Sequence, residues 1–242
     1  MKITGANGQA VAQKLFSTSA DQYHELGFQA VGNGRKFRYV KAGAVDLVVG
    51  NALQSRIEDV DHDNIAVRAT AIDATSLLIT TGASGGALDE NEYAEGVAVI
   101  DTTPGLGYTY SIKSHAAIAA STDGSLNLVD GETVQVALTT SSKITLSVNP
   151  YKAVIQHPVT TATNVCVGGA IYPITASQFG WIQTGGVGAG LIAGTPAAGQ
   201  PVTSTSATAG ALSVHSAELN EVADMMVTGR DGKVLPVFWK ID

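Results

Sequence analysis

Short alternating segments, each closed by turn residues, recur along most of this 242-residue chain. Ile65 to Ala71 alternates, and Ser76 to Thr80 is a short apolar run. Val97 to Asp101 precedes the turn Thr103-Pro104-Gly105, and Tyr108 to Ile112 alternates again. Leu126 to Val129 ends at Asp130-Gly131, and Val134 to Leu138 repeats the pattern. Lys143 to Val148 stops at Asn149-Pro150, where proline removes a ladder donor. Successive strand side chains point to opposite faces, so period-two segments of this length predict half-buried strands. Their regular spacing by turn residues predicts antiparallel sandwiches or barrels.

The rest of the chain extends the pattern. Ala153 to Ile155, Val165 to Ile174, Phe179 to Gln183, Gly190 to Ala193, Val202 to Ser206 and Ala211 to Val214 read as strands. The Gly/Ser/Thr/Ala-rich stretch from Phe179 to Val214 suits turns and strands. Ser216 to Met226 reads as a short helix or a strand pair, with Ser216 as N-cap. Val234 to Ile241 reads as a terminal strand, and Pro236 places it at an edge or a bulge. Near the start, Gly32-Asn33-Gly34 is a turn and Lys36 to Lys41 a strand, while periodicity does not decide Ala44 to Leu53. No long helix alternates with these strands, which argues against a parallel α/β sheet.

The expected fold class is therefore mainly β, with antiparallel sandwich or barrel domains behind an extended N-terminal arm. The expected segments are 1–60 for the arm and first strands, 61–150 for one β-domain and 151–242 for a second. Within the arm, Gln9 to Phe16 could form two helical turns with Val11, Leu15 and Phe16 on one side. So short a helix is not stable alone, so the arm should order against something else.

Composition narrows the function. Charged residues make up 14% of the chain, against about 25% in typical domains. Net charge is −7, and Arg35, Lys36, Arg38 and Lys41 form the one basic cluster. Nucleic-acid binding needs a wider basic face, because phosphate neutralisation dominates affinity. Cys166 is the single cysteine, so no intrachain disulfide is expected; flanked by Val165 and Val167, it reads as a small buried hydrophobe. No apolar run has the length of a signal peptide or a membrane span, so a soluble protein made in a cytosol is expected.

Four motifs invite chemistry. Gly82-Ala83-Ser84-Gly85-Gly86 matches the nucleophile elbow, with Ala87 to Ala94 as a possible following helix and His115, His157 and His215 as downstream bases. The βα repeats of such a hydrolase are missing, so a glycine-rich hairpin loop is the expected reading. Asp59, Asp61 and Asp63 carry the alternating carboxylates that begin a calcium loop. Asn64 stands where that loop needs glycine, and Thr70 where it needs a bidentate glutamate. A solvated acidic turn is expected instead, and His62 has no second histidine at ligand spacing. Gly188-Ala189-Gly190-Leu191-Ile192-Ala193 resembles a dinucleotide fingerprint in letters only, since a turn follows where a helix must open. Tyr151, Tyr172, Phe179 and Trp181 form an aromatic neighbourhood that could fill a core or stack on sugars. No catalytic residue, metal or cofactor is expected.

A family resemblance follows from residues already quoted. Phe37-Arg38-Tyr39-Val40-Lys41-Ala42-Gly43 with Leu47 to Gly50, and Asn149 to Ile155, resemble parts of tailed-bacteriophage capsid decoration (cement) proteins. So do Phe179-Gly180-Trp181-Ile182-Gln183-Thr184-Gly185, the hairpin Ala193 to Val202, and Ala209-Gly210. The resemblance covers most of the chain loosely, and its motifs are structural. It implies a structural virion protein on the outer capsid surface, bound to the major capsid protein and trimeric, with no nucleic-acid or membrane partner. Val11, Leu15, Phe16, Phe37, Tyr39 and Trp181 are the interface candidates. A glycan-binding β-module using Trp181 and Tyr172 is the alternative, and an esterase using Ser84 a third reading.

Overall fold

The computed structural model describes residues 3–159, 161–204, 207–216 and 220–242. Among them there is no α-helix, and the fold is mainly antiparallel β. The chain divides into two compact units: Met1–Ile57 with Pro150–Asp242, and Glu58–Asn149.

Four strands precede the second unit: β1 (Thr4–Gly5), β2 (Gln29–Gly32), β3 (Arg35–Lys41) and β4 (Ala52–Gln54). That unit holds β5 (Ile65–Val67), β6 (Ser76–Thr80), β7 (Val97–Ile100), β8 (Thr109–Ser114), β9 (Asp123–Leu128) and β10 (Lys143–Ser147). These six close into a barrel in the order β10-β5-β6-β9-β8-β7. Alternation sets its two faces. Leu77, Ile79, Ala98, Ile100, Tyr110, Ile112, Ile144 and Leu146 are buried together, while Ser76, Thr80, Thr109, Lys113 and Lys143 are not. Closure leaves no unpaired edge.

Val134 to Leu138 differs from expectation. It forms no ladder strand: Thr70 and Leu138 exchange two backbone bonds as an isolated bridge, Val134 N donates to Ala74 O, and Val134 O accepts from Asp73 N. Val134 and Leu138 still enter the barrel core, which explains the alternation.

The first unit is completed by β11 (Ile155–Gln156), β12 (Cys166–Ala170), β13 (Phe179–Leu191), β14 (Pro201–Thr203), β15 (Ser213–Val214), β16 (Ala223–Met225) and β17 (Val234–Lys240). One sheet runs β1-β2-β3-β13-β17-β16-β14-β15, with β12 also on β13 and β4 between β12 and β11. Asn33 and Gly34 turn β2 into β3 with φ of 50° and 70°, as a type I′ hairpin requires. Of the stretch Ser216 to Met226, residues 217–219 lie outside the described residues, and Ala223–Met225 is strand.

Three expectations are corrected here. The N-terminal segment is not an extended arm and holds no helix among the described residues: Gln13, Leu15, Leu26 and Ala30 are buried within this chain, and β1 to β4 join the same sheet as the C-terminal strands. The glycine run at 185–190 does not interrupt a strand but continues β13 for 13 residues. Its glycines answer close approaches: a Cβ on Gly186 would lie 2.3 Å from the Gly34 carbonyl, and one on Gly188 2.5 Å from Gln183 Oε1. Finally, Pro236 lies in a strand paired on both sides. Its carbonyl accepts from Met226 N, just past the end of β16, so the missing N–H falls where that ladder has finished.

Candidate functional site

Strand alternation divides β13 between two cores. Phe179 and Trp181 point to one side with Phe37 and Tyr39 of β3, while Ile182 points to the other with Val40. The aromatic side is closed by residues 11–28. Tyr39 and Trp181 meet edge to face at 5.1 Å, and Tyr39 and Phe179 stack at 5.9 Å. Trp181 is 1% exposed, so it belongs to the core and offers no platform for a sugar. Phe37 and Tyr39 are equally buried.

Gln13 ties the N-terminal segment to this cluster. Its Nε2 donates to Ser17 O (2.8 Å) and Phe179 O (3.1 Å). Its Oε1 accepts from Tyr39 Oη at 2.7 Å, and its backbone carbonyl accepts from Trp181 Nε1 at 3.2 Å. Ser19 and Phe179 exchange two backbone bonds alongside. His24 stacks on Phe28 at 4.7 Å, and its Nε2 accepts from Ala12 N at 3.1 Å. Burial lowers the His24 pKa below its ordinary value, which favours the neutral ring this bond requires.

The pinned segment forms one wall of a groove of about 450 Å³, lined by Ile3, Val11 and residues 12–16. Leu15 is buried and Val11 half-buried, and both pack on the aromatic cluster. Phe16 is 52% exposed, with its ring edge to face on Tyr172 at 6.4 Å. Of the six interface candidates, then, Leu15, Phe37, Tyr39 and Trp181 build the support, while Val11 and Phe16 reach the surface. Gln13 and His24 are site residues that alternation does not reveal, because both are polar.

The basic cluster lies along β3 and is held by local partners. Arg38 makes a bidentate pair with Asp242 (Nε–Oδ2 2.8 Å, Nη2–Oδ1 3.1 Å) and donates to Gly27 O. Burial, the largest single influence, would raise the Asp242 carboxyl, but Arg38, Thr184 and the charge of Lys36 together hold it below the usual range. Arg35 lies over Phe37 and Lys41 over Phe179, each 5.4 Å from the ring centroid.

The remaining motifs resolve into loop structure. Ser84 is exposed in a loop after β6, and turns rather than a helix follow it. A Cβ on Gly86 would lie 2.6 Å from Gly82 N, so the glycines serve the tightness of that loop. Both His115 ring nitrogens are already bonded, Nε2 from Tyr93 N and Nδ1 to Ala116 O. Asp59 caps the short 3-10 turn Val60–His62 by accepting from Asp61 N, and Asp63 accepts from Thr145 Oγ1. His62 is buried against the Tyr93 hydroxyl. No three carboxylate, histidine or cysteine side chains converge as a metal site among the described residues. Of the dinucleotide-like letters, Gly188 to Leu191 lie within β13, and no helix follows among the described residues.

Comparison with protein-family models, curated proteins and solved structures finds no match for this chain.

Proposed function

We propose that this chain is a structural virion protein that binds the outer surface of a tailed-phage capsid and stabilises contacts between major capsid protein subunits as a homotrimer. The observation that carries this reading is the exposed Phe16 at the groove formed with Ile3 and Val11, held in place by Gln13 and the aromatic cluster beneath. A large aromatic projecting from an ordered groove is the kind of anchor that dominates binding energy. Repetition over a capsid lattice adds avidity, so no single contact must be tight.

Co-sedimentation with expanded capsids lacking this protein tests the reading. The wild-type chain should sediment with the particles, and Phe16→Ala should bind at least tenfold more weakly with its fold intact. Failure of the wild-type chain to bind overturns the proposal, and undiminished binding of Phe16→Ala overturns the groove. The mass of the free protein in solution decides the trimer.

A further inference from the structure

A second concavity lies at the other end of the first unit's sheet, where β12 begins and β14 ends. It encloses about 420 Å³, within the roughly 300–1,000 Å³ of small-molecule sites. His157, Cys166, Thr203 and Ser204 line its inner part, and Thr163 and Asn164 its rim. No charged side chain lines it among the described residues.

The wall is firmly built. Gln54, fully buried on β4, donates through Nε2 to Thr163 Oγ1 at 2.6 Å. Asn164 Nδ2 donates to Arg56 O at 2.6 Å, and Ser55 N donates to Val165 O. His157 is 1% exposed and fixed through its backbone, its N–H to Ala52 O and its carbonyl from Gly210 N. Its ring is oriented by Nδ1, 3.1 Å from Pro158 O. A carbonyl only accepts, so Nδ1 carries the proton and Nε2 is left as an acceptor. Among the described residues Nε2 has no hydrogen-bond partner. His157 lines the cleft, so Nε2 can accept from a donor that enters it.

The rest of the lining selects the donor. An ion entering here would lose hydration and meet no counter-charge among the described residues. Hydroxyls on Thr163, Thr203 and Ser204 both donate and accept, so they match a ligand whose own groups do both. We propose that this cleft binds a small uncharged polyhydroxyl compound, a neutral sugar or polyol, with one ligand hydroxyl donating to His157 Nε2. The site is independent of the Phe16 groove and of the capsid reading.

The test uses the full chain with histidine imidazoles labelled with ¹⁵N. Glucose, galactose and glycerol are titrated, with gluconate as a charged analogue of the same hydroxyl pattern. At least one neutral probe should shift His157 Nε2 saturably while the His24, His62 and His115 rings stay still. Glucose and galactose against glycerol distinguish a ring sugar from an open polyol. His157→Phe removes the acceptor and should weaken binding about tenfold, the scale of one neutral hydrogen bond. Ser204→Ala, a milder change should the first variant not fold, should weaken it several-fold. No saturable shift with any neutral probe overturns the site. Gluconate binding as well as glucose overturns the requirement for neutrality, and full affinity in Ser204→Ala with a folded His157→Phe overturns the assigned contacts.

Discussion

The two units are both antiparallel β, yet they use side chains in opposite ways. The barrel sorts residues by simple alternation, with one apolar face turned inward around a single core. The first unit covers both faces of β13 from Phe179 to Gly186 and divides its interior into three clusters. A strand covered on both sides has little room, so glycines stand where backbone or a large ring approaches. It also buries polar groups: Nε2 of Gln13 and of Gln183 donates to backbone carbonyls, while Gln183 Oε1 has no hydrogen-bond partner among the described residues. The barrel is thus held chiefly by apolar contact, and the first unit by close fit and directed bonds as well.

The largest expected effect tests the barrel. Ile144 pairs with Ile65 on one side and Ile100 on the other and is fully buried. Ile144→Ala should cost about 2–5 kcal/mol, the range for deleting a buried aliphatic side chain. Amide exchange of β5 to β10 measures it. A loss below about 1 kcal/mol would mean that this core collapses around the gap, unlike a close-packed interior.

Next in size is Gly186→Ala in the first unit. The new Cβ would face the Gly34 carbonyl, and φ is +80°. Backbone strain and the clash together should cost about 2–4 kcal/mol. Trp181 and Trp239 both lie in this unit, so the tryptophan fluorescence transition reports it directly. Gly131→Ala in the barrel unit is the sharper control. Its φ is also positive, at 88°, but nothing lies within 4 Å of the added carbon, so about 1 kcal/mol is expected. Equal losses at the two positions would show that φ alone matters and that the tight fit assigned to β13 does not.

These contrasts also explain what could be read from the chain. The barrel strands were legible because period-two hydrophobicity survives where one face is buried and the other is solvated, as in Ser76 to Thr80. The same signal misled at Val134 to Leu138, where alternate residues are buried without a ladder. It failed across Gly185 to Gly190, because glycine carries no hydrophobic signal and marks turns as readily as close approaches. The candidate site was half legible. Phe16 and Val11 stood out as apolar residues, but Trp181 and Tyr39 could not be assigned to core or surface without their neighbours. Gln13 was invisible: its bond to Phe179 O joins positions 166 residues apart.

Gln13→Ala follows in magnitude. It removes the two Nε2 bonds and leaves the buried Tyr39 hydroxyl without its acceptor. The cost should be about 1–3 kcal/mol, concentrated in the N-terminal segment. Faster amide exchange at Ser19, with β17 unchanged, is the expected pattern. Uniform loss across the sheet would show that the segment is part of the unit's cooperative core and not a separately docked wall.

The smallest effect concerns pH and is local to that wall. The Ala12 N–H donates to His24 Nε2, so the docked segment requires a neutral ring at that nitrogen. Burial lowers the folded pKa of His24 below its ordinary 6.5, so folding favours the neutral form. The resulting stabilisation is fully present above the unfolded value. It is lost as pH falls from about 6.5 through the lowered folded pKa, because the unfolded chain takes up the proton first. Protection of the Ala12 amide, corrected for intrinsic exchange, should therefore fall as pH drops through this window. Protection at Ser19, which rests on backbone bonds to Phe179, should hold. A His24 ring that titrates at or above 6.5 by NMR, or Ala12 protection independent of pH, would remove histidine from the support of the groove and leave Gln13 to hold it.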